Sequence, residues 1–422
     1  MKRILFVAST LVLFFTALQA NASIDIALQM QLGNPSNATT DTNNHDHFLI
    51  QRTVEAIDYS DHWGEPNWAS WDLTAGDIGS SGRSSSFYTD TNLPSNFYRV
   101  TTDDYTHSGY DRGHMCPSYD RTDDSTNNKL VFFMSNIIPQ TPDNNQGVWQ
   151  NLESYCQTLA QSGYELLIIC GPNGFSGTRI NTNGPVFIPD YTWKIAVVVS
   201  SGAGTALNRI TTSTRVIAVN IPNIAGIRTA PWTNYLVSVN MLQTNTGYTF
   251  FTALPANFAT VLRAKIDGYP TPGITSFTPT NGSAGTTVTI NGTNFTSAST
   301  VWFNGSDASL TVNSGIQITA TVPSSATTGP IAVIAPGGLA TSTNNFTVQG
   351  ASLSIQSFGI AAGHFNMTIS GASEKNYTVM ATTNLANPDW VAVFSTNATA
   401  MPFIFTDTNT ALAQRFYRVL EQ

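Results

Sequence analysis

The segment Tyr269-Pro270-Thr271-Pro272-Gly273 cannot continue a helix, because its two prolines lack a backbone donor and clash with the preceding turn. It divides a chain of 422 residues into two parts of different chemistry. Ser23 to Thr271 carries 21 acidic and 13 basic residues, whereas Pro272 to Gln422 carries five and three. Five of the six histidines also precede the joint. The part after it is rich in Thr, Ser, Asn and Gly and nearly chargeless, so chemistry is expected before it. Over the whole chain 10% of residues are charged, with a net charge of -8. That is far below the ~25% of an average soluble protein, and it excludes a disordered acidic tail or a coiled coil. The negative balance argues against passive adhesion to nucleic acid or anionic membrane, while leaving room for a small cationic site.

The first residues predict a compartment. Lys2 and Arg3 precede an apolar run, Ile4 to Leu18, and Ala20-Asn21-Ala22 supplies a small-x-small cleavage pattern. This reads as an export signal cut after Ala22, leaving a secreted, periplasmic or extracellular protein. No later stretch approaches 18 uncharged apolar residues, so no transmembrane segment is expected in the mature form. Cys116, Cys156 and Cys170 are too few for a disulfide framework. A Cys156–Cys170 bridge and buried free thiols are both open readings.

The expected domains are 1–22 (signal), 23–270 (catalytic), 271–349 and 350–422. In the catalytic part, Glu165 to Cys170 is a short apolar run ending at Gly171-Pro172 and reads as a buried strand. Thr192 to Val199 is a second strand. Trp149, Leu152, Cys156 and Leu159 share one helical face, and Gly163 supplies a stop. Strands and helices do not alternate strictly, so the class is α+β with a central antiparallel sheet. The tail reads as two small all-β domains. Thr286 to Gly292 runs a strand into an Asn-Gly turn, and Val301 to Gly305 repeats the device. Ile316–Val322, Ile331–Ile334 and six candidates after Gly350 are further short strands.

Two blocks carry the chemistry. The first is Tyr110-Asp111-Arg112-Gly113-His114-Met115-Cys116-Pro117. The second runs from Ser135-Asn136-Ile137-Ile138-Pro139-Gln140 to Asn145-Gln146-Gly147-Val148-Trp149-Gln150-Asn151-Leu152-Glu153. Hydrolysing a phosphodiester needs an activated water, neutralised phosphoryl oxygens and help for the leaving oxygen. An imidazole of ordinary pKa, ~6.5, takes a proton from water at neutral pH, which suits His114. Arg112, two residues away on a strand, shares its face and has a planar fork suited to phosphate. On a helix starting near Asn145, Glu153 lies about 12 Å further along and about 80° round, too far for both to bind one ion directly. An Asn carbonyl with several waters suits Mg²⁺, and Glu153 then orders the ion's hydration shell. Helix capping by Asn145 and a solvated face for Glu153 are the plainer readings.

Together the blocks resemble the DNA/RNA non-specific endonuclease family, the sugar-nonspecific ββα-metal nucleases. The resemblance implies Asn145 as the direct protein ligand of a largely hydrated magnesium, with Mn²⁺ or another divalent ion as substitutes. It also implies that Asn136 orients the site or contacts substrate, and that Arg83 binds phosphate in the transition state. Cys116, Gln157 and Gln243 depart from the family pattern; Gln157 stands where some members carry Arg, which weakens substrate contacts. Arg121, Lys129, Lys194, Arg209, Arg215 and Arg228 are further cations that could widen a phosphate-binding surface. Thr271 to Val348 resembles an IPT/TIG domain, an immunoglobulin-like sandwich, and residues 350–422 resemble a repeat-type β module of exported bacterial proteins.

The expectation is a secreted, magnesium-dependent endonuclease acting on DNA and RNA with 5′-phosphate products. His114, Arg112, Arg83, Asn136 and Glu153 are its catalytic candidates and Asn145 its metal ligand. The rivals are a surface-binding or adhesive protein with an inactive nuclease-like domain, and a phosphodiesterase for small molecules. A cell-surface or extracellular-matrix partner is the candidate for the β tail.

Overall fold

The computed structural model describes residues 26–422 apart from 182–183, 351–352, 373–374, 410 and 412–413. The expected signal segment lies outside the described residues. No helix among the described residues is long and apolar enough to cross a membrane. The chain forms two compact units. The first contains the residues up to Arg209, Val219–Tyr235 and Asn245–Ala253. The second contains Ile210–Ala218, Leu236–Thr244 and Leu254–Gln422.

The first unit is of the α+β class. Strands β1 (Phe48–Gln51), β2 (Ala56–Ser60) and β3 (Glu65–Leu73) form an antiparallel meander. A separate two-stranded hairpin pairs β4 (Asp111–His114) with β5 (Ile137–Gln140). Between them lies the short helix α1 (Ser125–Leu130), capped by Asp124, whose carboxylate accepts from the Thr126 and Asn127 amides. Helix α2 (Gln150–Gln161) then leads into β6 (Tyr164–Arg179) and β7 (Phe187–Ser200). Within this unit the sheet order runs β1-β2-β3-β6-β7.

The strand expected to stop at Gly171-Pro172 continues to Arg179. Its partner β7 carries the ladder on, pairing Gly171 with Trp193, Pro172 with Thr192 and finally Arg179 with Phe187. A Gly-Pro pair ends a strand only where no neighbour extends past it. Alternation along β7 sends adjacent side chains to opposite faces. Trp193 meets Tyr248 and Phe250 on one face, whereas Lys194 lies over the Trp71 and Trp149 rings on the other.

In the second unit, Thr287–Thr293 pairs with both Gly273–Thr278 and Gln317–Thr321. Thr300–Phe303 pairs with Ser306–Ser314 and Gly329–Ala335. Val288, Ile290, Phe295, Val301, Phe303 and Phe346 are among the buried core of this sandwich. The two Asn-Gly dipeptides behave differently. Asn304-Gly305 is a hairpin turn with φ of 48° and 88°, both left-handed as a primed turn requires. Asn291-Gly292 stays within its strand and marks a register shift against Gly273–Thr278, not the expected turn. After residue 352, two antiparallel three-stranded sheets follow. One holds Ser354–Ala361, His364–Ser370 and Phe403–Asp407; the other holds Val391–Ala398, Lys375–Thr382 and Phe416–Glu421.

Candidate active site

The β4–β5 register sets His114 opposite Ile137 and Asp111 opposite Gln140. Gly113 is dictated by close approach: a Cβ there would lie 1.8 Å from Gln140 Oε1. Gln140 in turn donates to Asn144 Oδ1 at 2.8 Å, and Asn144 donates to Thr192 Oγ1 and the Pro222 carbonyl, each at 3.1 Å. This chain of amides ties the hairpin to the turn that carries Asn145.

That turn is not the start of a regular helix. Asn144–Trp149 is a single π-type turn interrupted at Gly147, whose φ and ψ of -126° and -106° are non-helical, and the α-helix begins only at Gln150. Gly147 sits against the Arg228 backbone, where a Cβ would approach to 2.6 Å. The Asn145 side chain does not cap a helix. Its Nδ2 donates to Asp111 Oδ2 at 2.9 Å, and Gln146 Nε2 donates to the same oxygen at 2.7 Å. With its NH₂ held by Asp111, the Asn145 carbonyl oxygen is the end left to meet a cation.

One cleft of about 610 Å³ gathers Arg83, Arg112, His114, Asn145, Glu153 and Gln157 along its walls. His114 is only 8% exposed, and its Nε2 is buried without a hydrogen-bond partner. Its ring packs edge-on against Phe132, with centroids 4.7 Å apart, and against Phe87 at 5.2 Å. Burial, helped by the Arg83 charge, pushes its pKa down to about 3, so the ring is neutral at any ordinary pH. The two arginines lean on the same aromatic pair: Arg112 lies 4.6 Å over Phe87, and Arg83 lies 4.8 Å over Phe132. Both side chains stay exposed to the cleft.

Glu153 has an environment that its position did not reveal. Lys194, buried over the rings of Trp149 (4.3 Å) and Trp71 (5.2 Å), places Nζ 3.6 Å from Glu153 Oε1. Burial raises the Glu153 pKa to about 7, and the Lys194 charge opposes the rise. Lys194 is therefore no part of a phosphate-binding surface; it holds Glu153. Nothing in its own neighbourhood along the chain marked this pairing, because Glu153 lies 41 positions away. Gln157, where some family members have Arg, donates to buried Asp120 at 2.8 Å, and Asp120 accepts from Trp71 Nε1 at 3.0 Å.

Asn136 does not face the cleft. It is fully buried, donating to the Cys116 and Val131 carbonyls at 2.9 and 2.8 Å and accepting from the Cys116 amide at 3.0 Å. It positions the segment after His114, the first of the two roles expected for it. Most other cations are likewise engaged elsewhere. Arg121 is buried on the Val54 and Asp72 carbonyls, Arg228 pairs with Asp143, Arg209 with Glu165 and Arg215 with Asp267. Cys116 and Cys170 are buried free thiols, so the Cys156–Cys170 bridge is not formed.

No group of three or more His, Cys, Asp or Glu that could hold a metal occurs among the described residues. The oxygen donors in the cleft, the Asn145 carbonyl and the Glu153 carboxylate, instead fit a hard divalent ion that keeps most of its water.

A hairpin offering Arg112 and His114, opposed across a cleft to a π-type turn offering Asn145 and a helix offering Glu153, defines a ββα-metal nuclease. Residues 33–257 match the model of the DNA/RNA non-specific endonuclease family, and residues 272–355 match that of the IPT/TIG domain. The first match spans more than half of the chain, and the chain belongs to the DNA/RNA non-specific endonuclease family. It is similar to "Nuclease" of Nostoc sp., 43% identical over 245 residues that cover 58% of this chain and 88% of that one. It is also similar to "Nuclease EXOG, mitochondrial" of Mus musculus, 28% identical over 56% of this chain and 64% of that one. A solved chain titled "Crystal structure of the EndoG/EndoGI complex: Mechanism of EndoG inhibition" aligns with a TM-score of 0.48 at 21% identity, over 59% of this chain and 98% of that one. The family is divalent-metal dependent in general.

Proposed function

We propose that this chain is an exported, magnesium-dependent endonuclease that hydrolyses DNA and RNA with little sequence preference. The observation that carries the reading is the partnerless Nε2 of neutral His114 in the same cleft as two phosphate-competent arginines. His114 takes a proton from water as the water oxygen attacks phosphorus. The bond from phosphorus to the 3′ oxygen breaks, that oxygen takes a proton from solvent, and 5′-phosphate and 3′-hydroxyl ends remain. The bound phosphate's charge raises the affinity of His114 for that proton, offsetting the burial and Arg83 that hold it down in the free protein. Arg112 and Arg83 share the charge on the non-bridging oxygens. Asn145 would hold the cation and Glu153 would order the water around it; the cation supplies charge stabilisation at the phosphoryl and leaving oxygens when bound.

Export rests on Lys2-Arg3, the apolar run to Leu18 and the Ala20-Asn21-Ala22 pattern. A cell-surface or matrix partner for the two β domains belongs to the same proposal. Digestion of plasmid and of RNA is expected with Mg²⁺, and its loss with EDTA or in His114→Ala. Cleavage that survives both would sink the mechanism, and the site of processing is read from the N-terminus of the secreted protein.

A further inference from the structure

The first unit has a second cleft, of about 830 Å³, that the nuclease reading does not use. It is separate from the catalytic cleft. Lys194 runs from β7 to Glu153, while its neighbour Trp193 points to the opposite face, where it meets Tyr248. Tyr248 lines the second cleft, together with the Pro172–Phe175 stretch of β6. The volume falls within the ~300–1,000 Å³ usual for small-ligand sites.

The lining is chemically distinct from a phosphate site. It contains no lysine or arginine, and Asp46 adds a negative charge. Aromatic surface comes from Trp63 and Phe175, stacked on each other with centroids 4.3 Å apart at 9°, and from Tyr248. Hydrogen-bonding groups come from asparagines, among them Asn37, Asn67 and Asn173, and from His47.

Part of this wall is held in place by a buried acid. Asp58 is fully buried and binds three side chains around the cleft. Ser36 Oγ donates to its Oδ2 at 2.6 Å, Asn67 Nδ2 donates to its Oδ1 at 3.0 Å, and His47 Nδ1 lies 2.9 Å from its Oδ2. Trp68 Nε1 completes the network by donating to Ser36 Oγ at 2.9 Å. Asn67 also donates to the Asp46 carbonyl at 2.6 Å, so both of its N–H groups are used and its Oδ1 remains as an acceptor. His47, with Nδ1 committed to Asp58, keeps Nε2 for the cleft, and its side chain is 39% exposed. An aspartate withdrawn from water is costly unless its partners are fixed, and here the fixed partners are the groups that face the opening.

The geometry points to a second binding site, for a neutral saccharide. A sugar ring offers apolar C–H faces to aromatic rings and a rim of hydroxyls, each both donor and acceptor, to fixed amide, carboxylate and imidazole groups. It needs no cation, which agrees with a lining free of lysine and arginine. Such a site would hold the nuclease on a glycan surface without competing for the phosphodiester.

The test is affinity electrophoresis of the full chain through gels containing a β-1,3-glucan, a β-1,4-glucan, an α-1,4-glucan or soluble β-1,4-linked N-acetylglucosamine polymer. Retardation by at least one of them is expected. Trp63→Ala and His47→Ala are each expected to weaken it about tenfold, a change of ~1.4 kcal/mol. Plasmid cleavage by both variants should match the parent, which also reports that they fold. Absence of retardation in all four gels overturns the assignment, as does retardation that both substitutions leave intact. Displacement of the saccharide by a catalytically inert single-stranded oligonucleotide would instead make the cleft part of the nucleic-acid path, and would equally overturn it.

Discussion

Asn145 donates to Asp111 across 2.9 Å, so the amide at the cleft is aimed by an aspartate on the opposing hairpin, 34 positions away. Removing a group that orients a metal ligand typically costs ~10–100-fold in metal affinity. Asp111→Ala is expected to raise the Mg²⁺ concentration for half-maximal cleavage by that order, with the rate at saturating Mg²⁺ much less affected. Titration of Mg²⁺ against plasmid cleavage measures it. An unchanged activation curve would remove Asp111 from this role.

Lys194 opposes the burial that raises Glu153 to about 7. Replacing it by Met withdraws that opposition, so the Glu153 pKa rises further. If the carboxylate is the working form, the acid limb of the pH–activity profile moves to higher pH in Lys194→Met. A profile that falls in height without moving would leave Lys194 a packing residue only.

His114 binds a proton at about 3 in the folded chain and near ~6.5 when unfolded. The unfolded state therefore takes up the proton first as pH drops, and its contribution to stability, complete above the unfolded value, is lost between about 6.5 and 3. Glu153, raised from 4.5 to about 7, acts in the opposite sense: stability falls as pH rises through that window. The two effects separate in variants. His114→Gln should lose less melting temperature than the parent on acidification from pH 6.5 to 5, measured by calorimetry at matched ionic strength. An equal loss in both would contradict the depressed histidine.

Asn136→Ala removes three buried hydrogen bonds and strands the Cys116 and Val131 carbonyls. With ~1–3 kcal/mol for each of the two carbonyls left unsatisfied, a destabilisation of roughly 2–6 kcal/mol is expected. Urea unfolding measures it. A stability within error of the parent would return Asn136 to the substrate-contacting group.

Ser23 to Thr271 carries a balance of -8, and Arg83 and Arg112 are the arginines that line the catalytic cleft. Two phosphate contacts on duplex DNA give a log–log salt slope of about -2. Filter binding of inactive His114→Ala at several salt concentrations reads the slope. A value near -6 or steeper would require a broad basic face that this domain lacks.

Much of the catalytic cleft was legible in local pattern. The DRGH core and the Asn145-to-Glu153 spacing name residue types whose chemistry is specific, and the structure brings Arg112, His114, Asn145, Glu153 and Arg83 to one opening. The tail strands were legible too, because β-branched and aromatic runs between turn residues are local signals. The dipeptide Asn-Gly shows where such signals end. Asn304-Gly305 turns the chain, but Asn291-Gly292 stays within a strand that pairs on both sides.

Residue type and spacing thus settled which groups could do chemistry and where β-structure would be dense. They did not settle what each group feels. His114 is neutral because Phe87, Phe132 and Arg83 close around it, Glu153 is tuned by Lys194, and Asn136 supports the site from behind because its amide is consumed by Cys116 and Val131. Burial and electrostatic environment are sums over segments that meet only when the sheet, hairpin and helix assemble. No window along the chain contains those sums, so the protonation states and the division between reacting and positioning residues emerged with the fold.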